Sequence, residues 1–356
     1  MTDSTTAGAA PDFEPARLDA YLKERLPGLA GPLRLERISG GQSNPTYFAS
    51  FDNRALVLRK KPPGELLPSA HAIDREFRVM SALAATDVPV PDCLFYEASP
   101  EVIGTPFYVM QRLEGRVFPG YALPGVSPAD RRAMYASMAE TMAKLHAVDW
   151  QAVGLEGFGR PGSYFARQIA RWTRQYELSR AEPIPDIEHL IAWLPRNIPA
   201  GETTTLCHGD FRLGNLMFHP SEPRVVGVLD WELSTIGDPL GDVAFNAMAW
   251  RSRPEEYGGL LGLDLAACGI PGEEEYLGMY FRAAAPGPGL WPFHFAFALF
   301  RFAVIFEGIA ARVRAGTAAA ADAANTASLS RAFARHAVEA IDGPPPYGDR
   351  TCLTPP

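Results

Sequence analysis

The chain has 356 residues, 47% apolar and 21% charged, with a formal net charge of −8 and an isoelectric point near 5.5. That much apolar material can bury a substantial core, and the length suits about two domains. An acidic balance weighs against a broad nucleic-acid or anionic-membrane surface, which needs clustered Lys and Arg, but leaves room for a small basic pocket.

Residues 1–12 hold Ala, Thr, Gly and two acids without the basic start and apolar run of a signal peptide, so they read as a disordered tail. A helix is expected over Glu14–Leu26, ending at Pro27-Gly28. Strands follow over Leu33–Ile38, Thr46–Phe51 and Ala55–Lys60, the last two joined through Asp52-Asn53-Arg54 as in a hairpin. A helix is expected over Ser69–Ala84. Val88-Pro89-Val90-Pro91 is extended, because each proline biases its predecessor away from helix. Strands near Leu94–Glu97 and Phe107–Leu113 complete a first lobe of five strands and one internal helix, residues 13–113.

From 114 onward the character changes. Gly115, Pro119, Gly120, Pro124 and Gly125 punctuate a linker, and Ser127-Pro128-Ala129-Asp130 supplies a cap, a first-turn proline and an acid. That helix runs to about Ala147, with Met134, Met138, Met142 and Leu145 at helical spacing. Further helices are expected around Gly162–Arg180 and Ile187–Leu194, then a small β segment over Thr204–Asp230, then mostly helix. Trp291–Ala310 is apolar but contains His294, Arg301 and Glu307, which marks a buried helix rather than a membrane span. Four scattered cysteines, Cys93, Cys207, Cys268 and Cys352, lack metal-ligand spacing and suit a reducing compartment, so cytoplasm is the expected location.

The chemistry concentrates in His208-Gly209-Asp210-Phe211-Arg212-Leu213-Gly214-Asn215 and, across a hairpin, Asp230-Trp231-Glu232. Phosphoryl transfer needs a carboxylate to orient and deprotonate the attacking hydroxyl, and hard oxygen ligands to hold Mg²⁺ against the phosphates. Asp210-x-x-x-x-Asn215 has the spacing of a kinase catalytic loop, and Asp230 stands where a second metal ligand is required. Asp210 is therefore the expected base, Asn215 and Asp230 the metal ligands, and Arg212 the stabiliser of developing charge. A buried turn bonded to its own backbone is the alternative.

These segments resemble the aminoglycoside phosphotransferase/choline kinase superfamily, and more narrowly the phosphotransferase domain joined to acyl-CoA dehydrogenases of the family 10 and 11 type. The resemblance runs from about Leu33 to Arg314. It is carried by Ser39-Gly40-Gly41-Gln42-Ser43-Asn44, Val57 to Gly64, Ala70 to Glu76, Pro106 to Met110, His208 to Asn215, and Leu229 to Asp242. It implies an α+β, protein-kinase-like two-lobed fold, with a small antiparallel-sheet N-lobe and a larger, mainly helical C-lobe over residues 114–356. It also implies ATP and Mg²⁺ as cofactors. No dehydrogenase domain fits within the chain, so it implies a stand-alone relative.

Under that resemblance Gly40, Gly41, Ser43 and Asn44 contact ATP phosphates, although a Gly-Gly hairpin is usually only a turn. Arg59 is the expected α/β-phosphate cation, with Lys60 in reserve and a solvated strand end as the alternative. Glu76 lies at the margin of an apolar helix face, where an acid needs a cation, so a pair with Arg59 is expected. Met110 sits where hinge backbone would bond adenine, unless its strand is a plain edge. Asp242 is expected to cap the following helix and brace the catalytic loop, His208 to orient that loop, and His146 to be a satisfied core histidine. Arg301, Ile305, Gly308 and Arg312 share a helix face. They suggest an anion site for the acceptor, with an internal ion pair to Glu307 favoured instead.

The implied acceptor is a small molecule, a hydroxyacyl-CoA or hydroxy acid. Aminoglycoside, choline or sugar is the alternative within the chemistry, and a silent pseudo-kinase the alternative outside it. A polyamine acceptor needs several carboxylates; Glu273-Glu274-Glu275 is the one acidic run, and reads as a solvated face.

Overall fold

Side chains alternate between the two faces of a strand, and in the N-terminal sheet that parity decides which residues reach the site. The computed structural model describes residues 11–38, 44–64, 72–285, 287, 289–316 and 323–342. The chain divides into two units, one running to Glu114 and including Asp230–Glu232, the other comprising Gly115–Leu229 and the chain from Leu233.

In the first unit, α1 (Pro15–Arg25) precedes β1 (Arg34–Arg37), β2 (Thr46–Ser50) and β3 (Ala55–Lys60). Next come α2 (Ile73–Leu83), β4 (Cys93–Glu97) and β5 (Phe107–Gln111). The five strands form one antiparallel sheet in the order β1-β2-β3-β5-β4. Asp52-Asn53 turns β2 into β3, closed by Phe51 N–H donating to Arg54 O at 2.8 Å. Leu56 and Leu58 join Leu18, Leu22, Tyr47, Phe107 and Val109 in a core under α1. Lys60 continues that parity. It is fully buried, with Nζ 2.7 Å from both Asp12 carboxylate oxygens and 5.3 Å from the Phe13 ring centre. The expected tail over 1–12 is thereby corrected at its end, since Asp12 is held in place by a buried cation. The remainder, 1–10, lies outside the described residues, as do 69–71 at the expected start of α2.

In the second unit, β6 (Arg116–Val117), α3 (Pro128–His146), α4 (Tyr164–Ser179) and α5 (Pro185–Trp193) lead into β7 (Thr205–Cys207). The chain continues through β8 (Leu216–Phe218), β9 (Val225–Val228), β10 (Thr235–Gly237), α6 (Pro239–Ala247), α7 (Leu265–Cys268), α8 (Glu273–Ala283), α9 (Pro292–Arg314) and α10 (Ala323–Asp342). Two small sheets, β6-β8-β9 and β10-β7, frame the catalytic-loop segment. Ser127 Oγ caps α3 by accepting from Asp130 N–H at 3.2 Å, and Met134, Met138, Met142 and Leu145 are all buried on its inner face. Helix α9 is long and apolar enough to cross a membrane, yet 89% of its most apolar window is buried, packed on α4, α6 and α10. Gly237 is required by a close approach: a Cβ there would lie 2.4 Å from the Tyr164 ring.

Candidate active site

Strand β7 delivers His208, Gly209 and Asp210, and the peptide groups of this turn are held by buried side chains. His208 N–H donates to Asp242 Oδ2 at 2.6 Å and Gly209 N–H to Asp242 Oδ1 at 2.9 Å. On the other side of the same glycine, the Arg301 guanidinium donates to Gly209 O. Gly209 adopts φ +83°, and a Cβ there would lie 2.4 Å from Leu233 O, so the position needs glycine on both conformational and steric grounds. The His208 ring spans the loop: Nδ1 accepts from Asp210 N–H at 3.1 Å and Nε2 donates to Leu229 O at 2.9 Å. With both ring nitrogens committed to backbone, His208 orients the loop. Burial pushes the Asp242 carboxyl up, but His146, His208 and the Gly209 N–H outweigh it and hold it below its ordinary value. His146 lies with Nδ1 2.8 Å from Tyr280 Oη and Nε2 3.4 Å from Asp242.

Asp210 emerges from this frame with a partly exposed carboxylate. Its Oδ2 accepts from Asn215 Nδ2 at 2.7 Å and from Arg212 Nε at 3.2 Å. Asn215 Nδ2 also reaches Asp210 O at 2.9 Å. The amide nitrogen of Asn215 thus serves the loop, and its carbonyl oxygen is the atom left to act as a ligand. Burial works against the Arg212 charge, but Asp210 holds the guanidinium above its ordinary range. Leu229, the residue before Asp230, donates its N–H to Asn215 O at 2.8 Å.

The first unit gathers Arg59, Glu76 and Asp230. Arg59 Nε lies 2.9 Å from Glu76 Oε2, and its Nη2 3.0 Å from Asp230 Oδ1. Glu76 is buried, and also accepts from Asn44 Nδ2 at 2.8 Å and Tyr108 Oη at 3.1 Å. Burial, with Asp230 and Glu232 adding to it, pushes the Glu76 carboxyl up to about 7 against the pull of Arg59. Burial opposes the Arg59 charge too, and Glu76 and Asp230 outweigh it. Asp230 has φ +63°, a left-handed conformation that costs a non-glycine residue energy and clusters at functional sites.

Strand parity explains why Arg59, not Lys60, meets Glu76: the two neighbouring cations point to opposite faces. Asn44 and Tyr108 are additions that sequence spacing did not single out as Glu76 partners. Gly40, Gly41 and Ser43 lie outside the described residues. Met110 is half-buried on β5, opposite Val57 and Cys93, so its strand is interior rather than an edge.

Three expectations need correction. Asp238, not Asp242, caps α6: its Oδ1 accepts from Leu240 N–H at 2.9 Å, and Asp242 is spent on the loop. Arg301 is not an open anion site, because it is buried between Trp172 and Phe245, with guanidinium-to-ring distances of 5.3 and 4.8 Å, and bonded to Gly209. Its expected partner Glu307 instead pairs with Arg314 at 2.9 Å. The 273–275 acids are not simply solvated: Glu273 pairs with Arg251 at 2.8 Å and Glu275 with Arg132.

The family model for the phosphotransferase enzyme family matches residues 34–289, which spans the strands, Arg59, Glu76 and the whole catalytic-loop segment. The chain belongs to that family. This phosphotransferase is 45% identical over 322 residues to mouse acyl-CoA dehydrogenase family member 10, covering 89% of the chain but 30% of the mouse protein. It is 41% identical to human acyl-CoA dehydrogenase family member 11, covering 87% of the chain and 41% of the human protein. It therefore spans less than half the length of these curated relatives. A solved Ralstonia eutropha structure, provisionally named an aminoglycoside phosphotransferase, is 44% identical with a TM-score of 0.83, covering 93% of this chain and 98% of that one. Aminoglycoside phosphotransferase APH(4)-Ia, in ternary complex with AMP-PNP and hygromycin B, shares the fold at a TM-score of 0.61 and 16% identity, covering 92% of this chain and 99% of that one. The fold is accordingly α+β and protein-kinase-like.

Proposed function

We propose that this phosphotransferase moves the γ-phosphoryl group of ATP to a hydroxyl of a small molecule, a hydroxyacyl-CoA or hydroxy acid, in the cytoplasm. The observation that carries the reading is the Asp210 carboxylate, steadied at Oδ2 by Asn215 and Arg212, on a loop whose peptides are clamped by Asp242 and Arg301. Asp210 Oδ1 orients the acceptor hydroxyl and takes its proton as the oxygen attacks. Arg212 neutralises charge that builds on the transferring group. Arg59, braced by Glu76, positions the α- and β-phosphates; Asn44, with Gly40, Gly41 and Ser43, completes the phosphate contacts, and Met110 contributes hinge backbone to adenine. Catalysis by positioning and electrostatics suits a reaction with little covalent work for the protein.

Asn215 Oδ1 and the Asp230 carboxylate are hard oxygen donors that fit magnesium, which is commonly held by one or two carboxylates plus substrate phosphates. Asn215 and Asp230 would hold that ion, which would supply charge neutralisation for the phosphates. The nucleotide assignment is supported by fold neighbours solved with AMP-PNP or ADP. The acceptor assignment is supported by likeness to proteins named as acyl-CoA dehydrogenases.

Asp210→Ala is expected to lower turnover by about 10²–10⁴ and leave Mg-ATP binding within about tenfold, since the base acts on the acceptor. Turnover equal to the parent would remove Asp210 from the mechanism. A radiolabelled-ATP screen of hydroxyacyl-CoAs against aminoglycosides tests the acceptor, and phosphorylation of kanamycin alone would overturn it.

A further inference from the structure

From Gly209 to Arg212 each main-chain carbonyl accepts from a different donor group. The Arg301 guanidinium donates to Gly209 O, and Asn215 Nδ2 to Asp210 O at 2.9 Å. Asn246 Nδ2 donates to Phe211 O at 3.0 Å, and Asn215 N–H to Arg212 O at 2.9 Å. Asn246 lies on α6 one turn after Asp242, so one helix face presents an acceptor to the start of the loop and a donor to its middle. It is fully buried, and its Nδ2 otherwise approaches Met138 Sδ at 3.6 Å. Among the described residues its Oδ1 meets no donor. An unpaired buried acceptor forfeits the hydration it has in water, a cost that an apolar side chain of similar branched shape escapes. What the amide gives in return is its nitrogen, and Phe211 O is the group that nitrogen serves.

We infer that Asn246 is a positioning residue for Arg212, and through it for the Arg212–Asp210 pair, acting by fixing the peptide plane between Phe211 and Arg212. The consequence for turnover rests on the phosphotransfer reading, whereas the tie itself rests on geometry alone. Phe211 and Arg212 share that planar group, so its carbonyl cannot turn without moving the start of the Arg212 main chain. The Phe211 ring is fully buried and stands edge-on to His208 at 5.9 Å, which anchors the side chain while Asn246 anchors the carbonyl. Arg212 then runs extended, at φ −142° and ψ 161°, and its side chain folds back over its own loop. A Cβ at Gly214 would lie 2.6 Å from Arg212 Nη1. Arg212 Nε stands 3.2 Å from Asp210 Oδ2. Because the ion-pair partner sits two residues away on the same loop, the guanidinium is placed by the main chain between them, and the peptide held by Asn246 is part of that stretch.

The test uses the full chain, Mg-ATP and the acceptor that the radiolabelled-ATP screen selects. Asn246→Leu removes the donor and the unpaired Oδ1 together. It leaves Phe211 O as an unpaired buried oxygen in place of Oδ1, so the urea midpoint should stay near the parent's. The kcat is expected to fall about 10- to 100-fold, with the KM for ATP within about twofold, as for a misplaced group that acts in the transition state. In an Arg212→Ala background the same change should cost less than about twofold more, since the residue it acts through is gone. Asn246→Ala serves the same comparisons if leucine overpacks the site and the variant does not fold. A folded variant with the parental kcat, or a loss that multiplies in full with that of Arg212→Ala, overturns the inference. If the parent phosphorylates no acceptor, amide hydrogen exchange decides. Faster exchange over residues 210–213 in Asn246→Leu then sustains the tie and defeats only the kinase reading, whereas unchanged exchange there defeats the tie as well.

Discussion

The acidic cluster of the first unit and the loop clamp of the second fix functional groups by different means. In the first, side chains hold side chains: Arg59 joins Glu76 and Asp230, and Asn44 and Tyr108 complete Glu76. In the second, side chains carried by helices hold backbone: Asp242 on α6 and Arg301 on α9 grip the two ends of the Gly209 peptide unit. A side chain held by one ion pair can exchange that partner for a ligand, as Asp230 must if it is to leave Arg59 for a metal. A main chain gripped from two helices is set before any ligand arrives, which is the preorganisation that electrostatic catalysis requires.

Breaking the clamp should have the largest effect. Asp242→Ala strips two buried N–H groups and His146 of their acceptor, and is expected to cost about 5 kcal/mol in urea unfolding, with loss of turnover. Asp242→Asn, which retains an acceptor oxygen, should cost less. In the first unit, Glu76→Ala leaves Arg59 with Asp230 and is expected to cost about 3 kcal/mol, while Arg59→Met/Glu76→Met together should cost less than the sum of the single changes. Additivity there would mean that the pair is not coupled. The Glu76 carboxyl, ordinarily near 4.5 and pushed by burial to about 7, is most favourable when protonated. Its contribution is full below pH 4.5 and is lost as pH rises through about 7, a slope that Glu76→Gln should remove.

The second unit carries the opposite slope. Burial pushes the His294 imidazole from 6.5 down to about 4, and its Nδ1 accepts from Trp291 N–H at 2.9 Å. Its contribution is complete above pH 6.5 and falls away as pH drops toward 4, by up to about 3 kcal/mol. His294→Phe should flatten the acid limb of unfolding between those values; an unchanged limb would assign acid loss to other groups. At the small end, Arg34→Ala breaks an exposed pair with Asp52 and should cost under about 1 kcal/mol.

The five N-terminal strands were readable because β-branched and aromatic runs alternate between turn residues, and β3 falls at the expected Ala55–Lys60. Asp210, Asn215 and Asp230 were readable as a spacing. Short β6 and β10 were not, since two or three residues carry no period. The Asp238-Pro239 pair did announce the cap, because proline at the first helical position leaves the preceding acid as its N-cap. The expectation gave that cap to Asp242, four residues further on, instead. Glu307 and Arg314 stand two helical turns apart, a spacing as legible as the one that had suggested Arg301, but the pull of Gly209 O on Arg301 is a long-range contact with no local signature. Asp230's left-handed backbone likewise arises from tertiary packing and has no residue-level cue.

The glycine between His208 and Asp210 has a consequence for how such an enzyme diversifies. With its main chain left-handed, a carbonyl 2.4 Å from any added carbon, and both of its own polar groups gripped, no substitution at this site can shift the neighbouring Asp210 carboxylate without disrupting the turn. On the phosphotransfer role proposed for Asp210, variation in the acceptor would come from other residues, while this turn stays fixed.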